Sequence, residues 1–394
     1  MIGHGQRRRP RAAALAVLAL RALSPLLPAH LSIAAASAAQ SPDSAARTAP
    51  SVRLVFTGDI NLGTRTLADG LPADSGRTLF AGVDSLLRGE FVIGNFEGVL
   101  SDTGESAKCR KDSTVCYAFA TPTWLAPRLV EAGFTHLNLA NNHANDYGLE
   151  ARLHTQRVFD SLGLRWYGPL EQIVIQPVWV GETPVVVGLI GFATYPFAYN
   201  LLDLERSRTV VDSIRRYVDL LVVTFHGGRE GAEAIRVPRG PETMAGEPRG
   251  DLRRWTHAVI DAGADAVVGH GPHVLRGVEF YRGKPVFYSL GNFATYRGFN
   301  LDSPRDLTAV LLLDLHPGGG FAAARLVSLR QLPFQGPVPD SSGAALRLVR
   351  RVTRQDFGAT GARIGERGEV FPPAGIPPRR APSNPPDPNE SGAT

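Results

Sequence analysis

The hydrophobic positions of the chain form short runs, and two spacings recur along it. Short segments rich in apolar residues predict β-strands at residues 52–56, 91–93, 136–139, 185–190, 220–225, 266–268, 285–289, 309–315 and 327–332, and the continuous apolar run at 185–190 predicts a buried strand. Apolar residues three or four positions apart predict helices at residues 79–87, 124–132 and 150–162, in a stretch ending at 213–218, and at 252–262. Because strands and helices alternate along most of the chain, the pattern indicates an α/β fold.

The segments between these runs refine that expectation. Gly133 and Gly263 follow predicted helices and are typical of C-terminal caps. Residues 98–120 resemble an insertion, and the Gly-, Pro-, Glu- and Arg-rich residues 229–250 predict a flexible loop near the active face. Strands cluster after residue 266, with the last expected at 327–332, which predicts an antiparallel or mixed portion of sheet late in the chain.

The first 38 residues have the features of a secretory signal. Arginines between Arg7 and Arg11 precede an apolar run at 12–20, and the small residues 36–38 form a cleavage site. An uncleaved anchor or a disordered tail is the alternative interpretation. Cleavage predicts a secreted or extracytoplasmic protein without a stable transmembrane anchor. Its expected parts are a linker at 39–51, a domain at 52–335, a C-terminal extension at 336–370 and a disordered proline-rich tail at 371–394.

Removing the signal changes how the net charge is interpreted. The formal charge of +5 comes from 42 basic and 37 acidic residues, but residues 1–38 hold five arginines and no acidic residue. The rest of the chain therefore has 37 basic and 37 acidic residues. This balance gives no electrostatic reason to expect a nucleic-acid partner.

The two cysteines, Cys109 and Cys116, lie close together in the sequence. A close pair in an exported chain predicts a local disulfide that closes a small loop beside Lys108. Two free thiols, or half of a metal site, are the alternatives.

Metal-ligand chemistry follows five of the apolar runs. The segments are residues 56–59 (FTGD), 94–97 (GNFE), 141–143 (NNH), 225–228 (FHGG) and 269–273 (GHGPH). Ligands bind at strand ends in α/β sheets, and carboxylates, amides and imidazoles gathered there suit a divalent cation. His143 can protonate a leaving group, and Asp146 can orient its imidazole. Each segment also has a structural interpretation, as a turn, a helix cap, a solvated loop or a structural histidine.

Five motifs carry a resemblance to a known family. They are residues 58–59 (GD), 94–97 (GNFE), 141–148 (NNHANDYG), 269–274 (GHGPHV) and 288–293 (YSLGNF). In this order they resemble the CapA family, which is named for poly-γ-glutamate capsule synthesis and belongs to the calcineurin-like metallophosphoesterase superfamily. The resemblance covers about residues 52–332. It implies a four-layer α/β/β/α sandwich with a site for two divalent metals, Mn, Fe or Zn, at the strand ends.

The resemblance also implies roles for individual residues. Asp59 would ligate the first metal, Asn142 the second, and Glu97 would bridge both metals. His143 would be the general acid. The remaining metal ligands would be His226, His270 and His273. Asn61 stands where the superfamily has a histidine and would be a weaker metal ligand. Residues 225–230 lack the tryptophan that commonly follows the position of His226 in the family. Glu230 is expected at the surface, with an extra ligand or a general base as alternatives.

Three functions are compatible with these observations. The first is an exported metal-dependent hydrolase that acts on a phosphoester or an anionic envelope polymer. The second is a non-catalytic component of capsule synthesis or export that binds such a polymer and works with the capsule machinery. A purely structural α/β domain would require all five motifs to be turns by coincidence.

Overall fold

The structure is a computed structural model that describes residues 50–106, 108–109 and 117–375. The predicted signal, most of the linker and the tail beyond residue 375 lie outside the described residues. Cys116 also lies outside them, so its disulfide with Cys109 stays a prediction.

The described residues form five α-helices and twenty-one strands, numbered here in chain order. The helices are α1 (Pro127–Ala132), α2 (Gly148–Ser161), α3 (Leu204–Arg215), α4 (Leu252–Asp261) and α5 (Ala344–Phe357). The strands are β1 (Val52–Asn61), β2 (Phe91–Phe96), β3 (Val99–Leu100), β4 (Ala120–Thr121), β5 (His136–Asn138), β6 (Arg165–Tyr167), β7 (Val174–Val180), β8 (Thr183–Ala193), β9 (Tyr199–Asn200), β10 (Leu220–His226), β11 (Glu242–Met244), β12 (Glu247–Gly250), β13 (Ala266–His270), β14 (Val278–Tyr281), β15 (Lys284–Phe287), β16 (Asn292–Thr295), β17 (Leu307–Leu315), β18 (Phe321–Leu332), β19 (Gly336–Pro339), β20 (Arg363–Ile364) and β21 (Glu369–Phe371). In this part of the chain, none of the helices has the length and apolar character that crossing a bilayer requires.

Two large sheets organise the domain. The first has the order β20-β21-β18-β17-β1-β2-β5-β6, with β16 beside β1 and β19 beside β18. The second has the order β14-β15-β13-β10-β8-β7, with β9 beside β8. Neighbours β1, β2, β5 and β6 run parallel, as do β8, β10, β13 and β15. The predicted late antiparallel portion is confirmed by β17, which pairs antiparallel with both β1 and β18.

Side-chain alternation along the strands builds the layers. Leu54 and Phe56 on β1 pack with Val222 on β10 in a core between the two sheets, while Val55 faces the other way, toward Leu129 of α1. The outer face of the second sheet packs against α3 and α4 in a third core. The layers therefore run helix, sheet, sheet, helix, which confirms the four-layer α/β/β/α fold implied by the resemblance.

Several element predictions need correction. Residues 79–87 form turns and one 3-10 turn at Asp84–Leu86 instead of an α-helix, although Leu79, Phe80, Val83 and Leu87 are buried. Residues 229–250 contain a 3-10 helix, Ala232–Ile235, and the β11–β12 hairpin, so they are not an irregular loop.

The chain beyond residue 332 also differs from expectation. The strand predicted at 327–332 is the end of the longer β18, and it is not the last strand. Strands β19 and β21 pair with β18, and α5 buries an apolar face in the core between the sheets. The expected C-terminal extension therefore contributes to the main sheet and its core.

Candidate metal centre

The predicted donor segments meet at one edge of the two sheets. Asp59 lies near the end of β1 and Glu97 follows β2 directly, while His226 and His270 are the last residues of β10 and β13. His143 lies in the connection between β5 and α2. Parallel strands end at the same edge of a sheet, so segments far apart in sequence are brought together here.

Two glycines allow the backbones to approach closely at this edge. A Cβ atom at Gly58 would lie 1.9 Å from the carbonyl oxygen of Gly291, in the turn before β16. Glycine is needed at this position because any side chain would collide with that backbone. Gly271 has a φ of +110°, and a Cβ there would lie 2.9 Å from the amide nitrogen of Gly227. This contact joins the loops that follow β10 and β13.

The Glu97 carboxylate is the hub of the centre. Its Oε1 lies 3.6 Å from His273 Nε2, 3.7 Å from His226 Nε2 and 3.9 Å from His143 Nε2. Asp59 Oδ2 lies 3.0 Å from His273 Nδ1. One donor atom from each of Asp59, Glu97 and His273 falls within 4.8 Å of the others. The side chains of Glu97 and His226 are fully buried.

His143 is held by a carboxylate on its far side. Its Nδ1 lies 2.6 Å from Asp146 Oδ2, which leaves Nε2 directed toward Glu97. Asp146 Oδ2 also accepts the Phe119 amide at 2.8 Å, and its Oδ1 accepts Lys108 Nζ at 2.7 Å. The predicted contact between His143 and Asp146 is therefore present. The 98–120 insertion supplies two of the groups that hold Asp146.

Buried asparagines hydrogen-bond to one another and to side chains of the centre, a supporting role that the sequence did not predict for them. Asn95 donates to Asp59 Oδ1 at 2.8 Å, and its own oxygen accepts from Asn138 at 3.0 Å and Asn141 at 3.3 Å. Asn292 Oδ1 lies 3.1 Å from His273 Nδ1. Asn95 and Asn292 lie in the motifs at 94–97 and 288–293. The amide in each motif was therefore the feature of the sequence that could have indicated this supporting role.

Two predicted ligands, Asn61 and His270, direct side-chain atoms to backbone groups. Asn61 donates to the Glu97 carbonyl at 2.9 Å and accepts the Gly63 amide at 3.1 Å. Both polar atoms of its side chain thus have backbone partners, and its role as a ligand stays a prediction. His270 directs Nε2 to the carbonyl of Thr57 at 3.0 Å, which leaves Nδ1 as its free ring nitrogen.

Burial and charge set the protonation of these side chains. Burial raises the pKa of Glu97 well above its usual range, and Asp59 adds to this effect while His273 opposes it. Burial also disfavours a charged imidazole at His273, but Glu97 and Asp59 outweigh it and raise the pKa of His273 to about 10. Burial lowers the pKa of His226 well below its usual value, and it lowers the pKa of His143. Neutral imidazole is the form that ligates metals.

The donor set fits a divalent cation. In the part of the chain described, buried polar atoms without a hydrogen-bond partner include both carboxylate oxygens of Glu97, Asn142 Oδ1, His226 Nε2 and His270 Nδ1. Buried polar atoms are normally satisfied, because an unpaired one costs about 1–3 kcal/mol. Oxygen and imidazole atoms of these types are ligands for Mn, Fe and Zn. A cation beside Glu97 would satisfy its carboxylate and the Nε2 atom of His226, which lies 3.7 Å from it.

Comparison with curated proteins identifies relatives of the chain. It is 30% identical over 261 residues to "PGA biosynthesis protein CapA" of Bacillus subtilis (strain 168), covering 62% of this chain and 63% of the relative. It is 29% identical over 287 residues to "Capsule biosynthesis protein CapA" of Bacillus anthracis, covering 69% of this chain and 65% of the relative. The chain therefore spans less than two thirds of the length of each relative.

Solved structures and family profiles extend the comparison. The structure of a 5'-nucleotidase precursor from Thermus thermophilus matches with a TM-score of 0.38 and 15% identity, covering 77% of this chain and 59% of that one. Residues 53–297, more than half of the chain, match the profile described as "Bacterial capsule synthesis protein PGA_cap". The chain therefore belongs to the PGA_cap family of bacterial capsule synthesis proteins, the family of CapA.

Proposed function

We propose that this protein is an exported, divalent-metal-dependent hydrolase of the phosphoesterase type that acts in cell-envelope or capsule metabolism. Its substrate is a phosphoester or another anionic envelope component. The observation that carries the proposal is the fully buried Glu97 carboxylate, which has no hydrogen bond and lies within 3.9 Å of three imidazoles. Keeping such a carboxylate buried is expensive unless a cation is bound beside it.

The proposed ligands are the donors that converge at the strand ends. They are Asp59, Glu97, Asn142, His226, His270 and His273. When bound, a divalent metal polarises the scissile group and lowers the pKa of a coordinated water. The Glu97 carboxylate lies near imidazoles carried by both sheets, which supports a central place for it among the proposed ligands.

His143 is the proposed general acid. Its Nδ1 contacts Asp146, so when the ring is protonated the proton available for transfer is the one on Nε2, the nitrogen that faces the centre. Asp146 favours that protonated form, against the opposing effect of burial. Lys108 offsets the charge of Asp146, which fixes the carboxylate and therefore the ring. Protonation of the leaving oxygen by a positioned imidazole contributes typically about 10²–10⁴-fold to rate.

Metal content tests the proposal directly. Elemental analysis of the purified full-length chain after loading with Mn, Fe or Zn should find about two equivalents. Asp59→Ala and His270→Ala should lose metal, while His257→Ala, whose ring contacts Glu279 away from the centre, should keep it. Absence of metal from the wild-type protein after reloading would refute the hydrolase proposal.

A non-catalytic role in polymer assembly is the second candidate. The names of the two Bacillus relatives refer to biosynthesis and not to hydrolysis, which favours this alternative. It predicts binding of poly-γ-glutamate that weakens as salt rises, with no turnover of any phosphoester by the metal-loaded protein. Turnover that is lost in His143→Ala would decide against it.

A further inference from the structure

We propose that Arg249 is the anion-binding residue of the metal centre and that it takes an oxyanion of the substrate, either phosphoryl or carboxylate. The inference rests on the proposed function, and it specifies the substrate group next to the metal ligands. Arg249 lies on β12, in the segment predicted from sequence as a flexible loop.

Arg249 is buried and incompletely hydrogen-bonded. Only 2% of the residue is exposed. Its Nε donates to the carbonyl of Gly228 at 3.0 Å, and its Nη1 donates to the Tyr195 hydroxyl at 3.0 Å. Its Nη2 forms an ion pair with Glu230 Oε1 at 2.7 Å, although it makes no hydrogen bond of standard geometry. A ligand oxyanion that aligns with Nη2 would therefore improve on the contact with Glu230.

The position of Arg249 relative to the cluster follows from the backbone contacts around it. Gly228, which follows His226 by two residues, donates its amide to the Arg249 carbonyl at 2.8 Å. Gly227 donates to the His270 carbonyl at 3.0 Å. Arg249 therefore lies directly against the loop that carries His226. Its charge also lowers the pKa of His226, although burial is the larger cause of that shift.

Glu230, the ion-pair partner of Arg249, was expected at the surface. Its side chain is only 21% exposed, and the next residue, Gly231, donates its amide to the Pro272 carbonyl at 3.1 Å, beside His273. Because part of Glu230 reaches solvent, it can turn outward when a stronger acceptor reaches Arg249. The ion pair then acts as a placeholder that keeps the guanidinium neutralised between substrates.

A second buried ion pair fixes the frame of this site. Arg276 contacts both oxygens of Glu242, at 2.9 and 2.8 Å, and its Nη2 and Nε donate to the carbonyls of Arg229 and Ala234. Glu242 also accepts the Arg229 amide at 3.0 Å. The segment that carries Arg249 and Glu230 is thus attached to the chain just after His273. A preorganised guanidinium loses little entropy when it binds an oxyanion.

Arg249 supplies positive charge at this point. The carboxylates of Asp59, Glu97 and Glu230 also lie here and repel an anion, so an anionic substrate group needs cationic partners in the centre. Lys108 is paired with Asp146, whereas the guanidinium of Arg249 lies beside the proposed ligands and is a cation that a substrate anion can meet. The planar guanidinium presents its N–H groups in the geometry that phosphate and carboxylate oxygens require.

Calorimetric titration of the metal-loaded full-length protein with inorganic phosphate and with glutarate tests the inference. We expect the wild type to bind at least one probe and Arg249→Gln to bind it about 10- to 100-fold more weakly, with metal content unchanged. Arg249→Lys should bind the probe with intermediate affinity, because lysine keeps the positive charge but lacks the planar guanidinium that can donate two parallel hydrogen bonds. Arg215→Lys is the matched control, since Arg215 pairs with Asp265 just before β13, at the opposite end of that strand from His270.

The outcomes separate this inference from the proposed function. Unchanged affinity in Arg249→Gln with metal bound, or no binding of either probe by the wild type, would overturn the role of Arg249. A wild-type protein that takes up no metal would refute the hydrolase instead. In that case Arg249-dependent binding of either probe by the metal-free protein would still support the anion site.

Discussion

The pair formed by Arg276 and Glu242 allows a quantitative test of how the centre is held together. Arg276→Met keeps most of the apolar volume of the side chain but removes the guanidinium. The side chain of Arg276 is fully buried and that of Glu242 is 4% exposed. The substitution therefore leaves a buried carboxylate without its cation, and the carbonyls of Ala234 and Arg229 lose their donors.

The size of the effect follows from this arrangement. Removing one partner of a buried ion pair typically costs about 3–5 kcal/mol, because the other charge stays desolvated and unpaired. Glu242→Gln should destabilise the protein by a smaller amount, since the amide oxygen can still accept from the guanidinium. The double variant leaves neither charge buried, so it should be more stable than the sum of the two single changes predicts. We expect a coupling free energy of about 2 kcal/mol.

Urea denaturation followed by circular dichroism gives the free energy of unfolding of each variant. Arg216→Met is the control, because Arg216 pairs with Asp212 on the exposed face of α3, where such pairs contribute about 0–1 kcal/mol. The reasoning would be refuted if Arg276→Met lost less than about 1 kcal/mol, or if the cycle showed no coupling. A retained metal content in the destabilised variant would further show that this pair does not position the ligands.

Three further predictions concern the centre and its supports. His143→Ala should keep its metal and lose about 10²-fold or more in turnover, as elemental analysis and kinetics would show, and full turnover would exclude it as the acid. Gly58→Ala should destabilise the fold by about 3 kcal/mol, because its Cβ would meet the carbonyl of Gly291, whereas Gly246→Ala, in open space, should cost about 1 kcal/mol in the same urea measurement. Equal losses would contradict this account. Burial lowers the pKa of His136 from 6.5 to about 4, so the unfolded state binds more protons and stability falls by about 3 kcal/mol as pH drops from 6.5 to 4. In His136→Gln, urea unfolding across that range should lack this part of the pH dependence, and an unchanged profile would refute the assignment.

The sequence by itself determined the local elements and the chemistry of their ends. Short apolar runs rich in β-branched residues, such as 220–225, predict buried strands, and the motifs that follow them carry the carboxylates and imidazoles. The resemblance carried by these motifs supplied the four-layer fold. Where the local pattern was weak the prediction failed: the helical spacing at 79–87 is satisfied by buried turns, because burying apolar side chains does not require a helix.

Only the tertiary structure decided which donors meet and what holds them. The convergence of Glu97 with His143, His226 and His273 depends on the pairing of strands from distant parts of the chain. The spacing of these residues in the sequence does not give the distances between their side chains, because each strand end is positioned by the neighbouring strands of its sheet. Arg249 could not be predicted from the sequence for the same reason. Its segment has the composition of a loop, and only its contacts with Gly228 and Glu230 show that it lies beside the centre. The local sequence thus determines which chemical groups lie at each strand end. The pairing of strands that are distant in sequence determines which of these groups come together in a site.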